Sequence, residues 1–156
     1  MLNLKKMQTQ ATYEDVNLLL RLYEMRREEK MRQARDYFLG QFNPDSVDEF
    51  KQMCPHGTME NAYFRQFITY WEMVASFITA GVLNENLFFQ SGREMLVAYE
   101  RVKPMLGDMR AMYQDPTYLL NLEQVGEHYI EFMKKKGPDT YEAFLNRVGK
   151  PPKKSA

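Results

Sequence analysis

Three groups of residues carry side chains from which chemistry is usually built. Cys54-Pro55-His56 sets a thiol two residues from an imidazole, a pair suited to a nucleophile with its base or to two ligands of a metal ion. A closed zinc site needs four ligands, and the chain offers only His128 as a further histidine. A Cys-His nucleophile also requires an orienting group and an oxyanion hole, and neither is visible around it. Pro55 and Gly57 are turn formers, so the segment reads as the stop of one helix before the next begins.

Glu123, Glu127 and Glu131 recur every fourth residue, which lines their carboxylates along one helix face beside His128. Carboxylate-bridged di-metal bundles need a Glu-x-x-His motif on each of two helices. Here Glu127 and His128 are adjacent and point about 100° apart. The row is expected to be a solvated face, closed by a Glu131–Lys135 pair. These residues therefore give no metal site, no cofactor and no recognisable catalytic set, and an enzyme is not expected.

Glu72 is the one charge in FITYWEMVASFITAGVL, residues 67–83, the least polar stretch of the chain. A carboxylate buried there must find a cation or hydrogen-bond donors, or take up a proton. Arg110, Arg93 and His128 are the expected partners. A structural pair fixing helix register is favoured. The alternative is a ligand pocket in which Glu72 and Arg110 stand with the aromatics Tyr70, Trp71 and Tyr99.

The elements that must position these residues follow from punctuation. Thr12 with Asp15 forms a capping box for a first helix running to about Leu39, stopped by Gly40. A short helix follows Asn43-Pro44 and ends near Cys54. Thr58 caps the third helix, which carries Glu72 and ends at Gly81. Asn84 caps the fourth, with Leu83 and Phe88 as a hydrophobic staple, Gly92 in its apolar seam for close approach, and a proline kink near Pro104. Asp115-Pro116 opens the fifth helix, seamed by Tyr118, Leu122, Val125, Tyr129 and Phe132. Asp139 with Glu142 caps a last helix ending near Val148. No segment alternates with period two, so no sheet is expected. The fold class is all-α: one antiparallel bundle of about six helices over residues 12–148, with a central hairpin of 58–80 and 84–113. Residues 1–11 and the basic 149–156 are expected to be flexible ends.

Bulk properties narrow the function classes. The 156 residues, 44% hydrophobic and 27% charged, suit a single globular domain. Twenty-one basic and 21 acidic residues balance, which argues against nucleic acid as the main partner. In RLYEMRREEKMRQARD the acids are interspersed among the bases, so a solvated helix with Glu28–Arg32 and Glu24–Arg27 pairs is expected rather than an RNA-binding patch. The single cysteine suits a reducing compartment, and MLNLKKMQTQ lacks the apolar core of a signal peptide, so the cytoplasm is the expected location. Gly81 breaks the apolar stretch and Glu72 interrupts it, so a membrane span is not expected.

The run YFRQFITYWEMVASFITAGVLNENLFFQSGREMLVAYERVKPMLGDMR resembles small bacterial helical proteins grouped as domain-of-unknown-function family 4760. What carries the resemblance is the aromatic pair with Glu72, then AGVLNENL, then a helix with a late Pro104 and Arg110. It covers about residues 60–133. Where such families show an aromatic such as Trp late in the fourth helix, this chain has Tyr99. The resemblance implies a helical fold and no established activity.

The start of the first helix is apolar on two faces. Val16, Leu19, Leu20 and Tyr23 share one side, and Leu18, Leu22 and Met25 lie almost opposite. A bundle buries one stripe, so a homodimer through Leu18, Leu22 and Met25 is expected, the chain's own ends being the alternative cover. The functional expectation is a protein-interaction bundle with an unknown protein partner or its own copy. The alternative is a small-molecule sensor near Glu72, and the twelve methionines offer either an adaptable groove or simple core filling.

Overall fold

The computed structural model describes residues 10–154. Of the ends expected to be flexible, residues 1–11 and 149–156, positions 1–9 and 155–156 lie outside the described residues. Helices α1 (Tyr13–Arg26), α2 (Glu29–Gly40), α3 (Val47–Met53) and α4 (Met59–Thr79) come first. They are followed by α5 (Glu85–Phe89), α6 (Arg93–Val102), α7 (Leu106–Tyr113), α8 (Leu120–Lys136) and α9 (Thr140–Arg147). Among the described residues there is no strand, and no helix is long and apolar enough to cross a membrane.

α4 is the axis. Thr58 caps it by accepting the Asn61 N–H at 3.2 Å, and it stops before Gly81, whose φ of 77° is left-handed backbone that suits glycine. It packs on α2 along one side and on α8 along another. Phe64, Phe67, Ile68, Trp71 and Val74 are buried along its length. The Phe67 ring stacks on Phe38 of α2 at 4.1 Å, and Phe42 stacks on Phe64 at 5.1 Å. Truncating such a ring costs about 3–5 kcal/mol, so this aromatic seam sets the α2–α4 register.

The expected first helix is two. The chain breaks at Arg27-Glu28, where Glu28 has extended backbone and its carboxylate caps α2 by accepting the Met31 N–H at 3.1 Å. No Gly or Pro marks the break. Tertiary bonds hold its two sides instead: Tyr70 donates to the Leu22 carbonyl at 2.6 Å, and Arg26 and Arg35 both reach Glu94, at 2.9 and 2.6 Å. The Glu28 carboxylate is thus used as a cap rather than in the expected pair with Arg32.

The expected helix 84–113 is likewise divided. Asn84 does cap it, accepting the Leu87 N–H at 2.9 Å, but α5 ends at Phe89. Gly92 then begins α6 directly beneath the Phe88 ring, where a Cβ would stand 2.3 Å from that ring. Pro104 lies in a single 3-10 turn, Lys103–Met105, between α6 and α7. α8 starts four residues after Pro116, behind a turn that puts Leu119 at φ 55°. At α9, Asp139 occupies the N-cap position without a side-chain capping bond. Beyond α9 the chain turns back on the α2–α3 link: Lys150 donates to the Pro44 carbonyl and to Asp45, and Lys153 pairs with Glu49, each at 2.8 Å.

Candidate functional site

Among the described residues Glu72 pairs with no cation. Its carboxylate is half-buried and accepts the Leu122 N–H at 2.7 Å, the Asn121 N–H at 3.2 Å and the Asn121 side-chain amide at 2.8 Å. These are the free N–H groups of the first turn of α8, which has no capping side chain of its own. The negative charge also complements the positive end of the helix dipole. Glu72 therefore binds a helix end, and the expected ion pair with Arg110, Arg93 or His128 is replaced by this cap.

The side chains expected around it are committed elsewhere. Arg110 donates to the Tyr118 carbonyl at 2.9 Å and pairs with Glu123 at 3.2 Å, tying α7 to the same end of α8. Trp71 is 1% exposed and meets the Tyr70 ring edge-on at 5.0 Å. Tyr99 is buried against Gly126 and donates to Glu127 at 2.5 Å; burial, followed by that carboxylate, pushes its hydroxyl well above the usual phenol range. Tyr70 is pushed up to about 12 by burial. These groups hold helices together rather than converge on one space.

Cys54 is buried, with its sulfur 3.1 Å from the Tyr37 hydroxyl, while His56 is exposed. Burial raises the Cys54 thiol above its ordinary value, the opposite of an activated nucleophile. Among the described residues no three His, Cys, Asp or Glu side chains gather as a metal site would require. The acidic row on α8 faces solvent as expected, with Glu127 and Glu131 exposed, and it carries surface pairs: Glu127 meets Lys103 at 3.0 Å and the neighbouring His128 meets Glu85 at 2.9 Å. Glu131 pairs with Lys134 at 3.6 Å instead of Lys135.

The two stripes of α1 have opposite fates. Leu22 is 5% exposed and Leu18 packs half-buried on the core, so two residues of the expected interface face inward. Tyr13, Val16, Leu20 and Tyr23 are left open at 78, 39, 58 and 53% exposure. Their spacing of three, four and three residues forms a continuous seam along the helix. Leu19, expected on this face, is partly buried.

Met25, the third expected interface residue, opens onto a groove of about 370 Å³ between the α1–α2 junction and α4. Met31, Met73 and Tyr70 form its apolar floor, with Gln66 and Thr69 at the polar edge. Unbranched methionines give such a surface room to adapt its shape. Methionine abundance and Tyr70 are each visible in the sequence, but the break at Arg27-Glu28, which brings Met25 and Met31 to one groove, carries no local signal.

A family model described as Domain of unknown function (DUF4760) matches residues 11–146. No curated protein and no solved structure matches the chain.

Proposed function

Because the chain belongs to the DUF4760 family, whose description assigns no activity, we propose a role drawn from its surface: a non-enzymatic helical interaction module that pairs with its own copy through α1. The observation that supports this is the seam of Tyr13, Val16, Leu20 and Tyr23, four large apolar residues exposed on one helix face. Two such seams mesh side by side as apolar knobs spaced three and four apart do, and a twofold axis lets each copy present the same surface. Four anchors are few against the roughly 800 Å² per partner of a standard interface, so the pairing is weak and reversible. The cytoplasm, a reducing compartment, suits the single buried thiol.

Light scattering during size-exclusion chromatography tests it. The chain should approach twice its 18.6 kDa mass as concentration rises, and Leu20→Glu should return it to monomer with unchanged helicity. A monomer at every concentration would remove the proposal.

A second reading rests on the methionine groove, where a small apolar molecule would lie on Met31, Met73 and Tyr70. This moves the small-molecule alternative from Glu72 to the other side of α4.

A further inference from the structure

A second, smaller cavity lies away from α1, between α6 and the C-terminal end of α9. Its volume is about 140 Å³. Val97, Leu145 and Val148 form the apolar wall, and Glu100, Arg101 and Lys150 supply the polar part. An engineered cavity of about 150 Å³ takes up benzene, so a single ring or a short branched chain fits here.

Arg101 distinguishes this cavity from a packing gap. It is 5% exposed, and among the described residues it forms no ion pair. Its Nη1 donates to the Phe38 and Leu39 carbonyls at the end of α2, the second at 3.1 Å. The opposite edge, Nε with Nη2, is one of the faces on which a guanidinium grips a carboxylate with two parallel bonds. Arg35 uses that edge on Glu94, with Nε at 2.8 Å and Nη2 at 2.6 Å. On Arg101 the same edge has one long contact, Nη2 to the Val148 carbonyl at 3.5 Å, and the buried Nε meets no acceptor among the described residues. A buried donor left in this way is a place where a water or an ion can be taken up.

We infer that this cavity binds a monocarboxylate with a compact apolar tail, the carboxylate seated on the Nε–Nη2 edge of Arg101. The tail lies against Val97, Leu145 and Val148, and the carboxylate supersedes the long contact to the Val148 carbonyl. Lys150 adds positive potential while remaining bonded to Asp45 at 2.8 Å. Glu100, which accepts the Tyr141 hydroxyl, sets a negative charge in the lining. That charge favours a ligand with one negative charge over a dianion such as a phosphomonoester. The site shares no residue with the α1 seam, so either can fail without the other.

The test is a nuclear magnetic resonance titration of the full chain with benzoate, its neutral isostere benzamide, and phenyl phosphate. The Arg101 Nε–H and the Leu145 methyl resonances are followed. Benzoate should shift both, with benzamide and phenyl phosphate at least about tenfold weaker, a difference of one decade in affinity. Leu145→Trp, at a half-buried position, should fill the cavity and abolish the shifts with the fold intact by circular dichroism. Arg101→Lys keeps the charge, loses the two-pronged edge, and should weaken benzoate by a similar factor. Equal binding of benzoate and benzamide, benzoate shifts surviving Leu145→Trp, or no shift with benzoate at millimolar concentration would each overturn the assignment.

Discussion

Glu72 on α4 receives the backbone N–H of Leu122 at 2.7 Å, fifty residues along the chain. With the two Asn121 bonds, it closes the open end of α8 from outside that helix. The residue just before α8, Leu119, is held in left-handed backbone at φ 55° and is only 4% exposed. That conformation costs a non-glycine residue about 1 kcal/mol or more, and the Glu72 cap and the burial of Leu119 together hold it.

Glu72→Ala should lower stability by about 2 kcal/mol, the size of a lost cap or of hydrogen bonds to a charged group. Glu131→Ala, which removes an exposed charge, should stay within about 0.5 kcal/mol of the parent. Urea unfolding monitored by circular dichroism separates the two. Coincident midpoints would show that α8 does not depend on the carboxylate.

Asp15 provides a pH-dependent fastener. Its buried carboxylate accepts the Thr12 N–H at 2.7 Å and the Asn84 N–H at 2.8 Å, joining the cap of α1 to the cap of α5. Burial by itself would raise its pKa, but these donors outweigh it and hold the acid below its ordinary 3.8. The folded state therefore gains stability from Asp15 above pH 3.8, and loses that gain as pH falls below 3.8 toward the folded value. Asp15→Asn should be less stable than the parent at neutral pH, with the gap narrowing in acid. A gap that widens as pH drops would reverse the assignment.

Two glycines in helices should respond oppositely to alanine. At Gly107 a Cβ meets nothing within 4 Å, so Gly107→Ala should stabilise α7 by roughly 0.5–1 kcal/mol. At Gly126 it would stand 2.4 Å from the Tyr99 ring, which is buried and tethered to Glu127. Overpacking costs typically 1–3 kcal/mol, so Gly126→Ala should be destabilising despite alanine's helix preference. Thermal unfolding of both variants would expose a wrong sign directly.

Where local punctuation decides an element, the sequence was legible. Thr58, Gly81 and Asn84 bound α4 and start α5 by caps and backbone preferences that act within four residues. The break at Arg27-Glu28 was not, because it is held by Tyr70 and Glu94 from elsewhere in the chain. Glu72, a carboxylate in an apolar stretch, reads as a residue that needs partners, but two of its three bonds come from backbone N–H groups, which no residue type announces. On α1 both stripes were readable, and nothing local says which turns inward. The fit of Leu22 and Leu18 to the core decides that, and leaves Tyr13, Val16, Leu20 and Tyr23 outside.

Sedimentation velocity over a dilution series tests the α1 pairing most directly. The account predicts a sedimentation coefficient that rises with concentration toward a dimer for the parent chain and for Leu145→Trp. Leu20→Glu and Tyr23→Glu should stay monomeric throughout. A parent chain that sediments as a monomer at all concentrations, or a dimer that survives both substitutions, would contradict it.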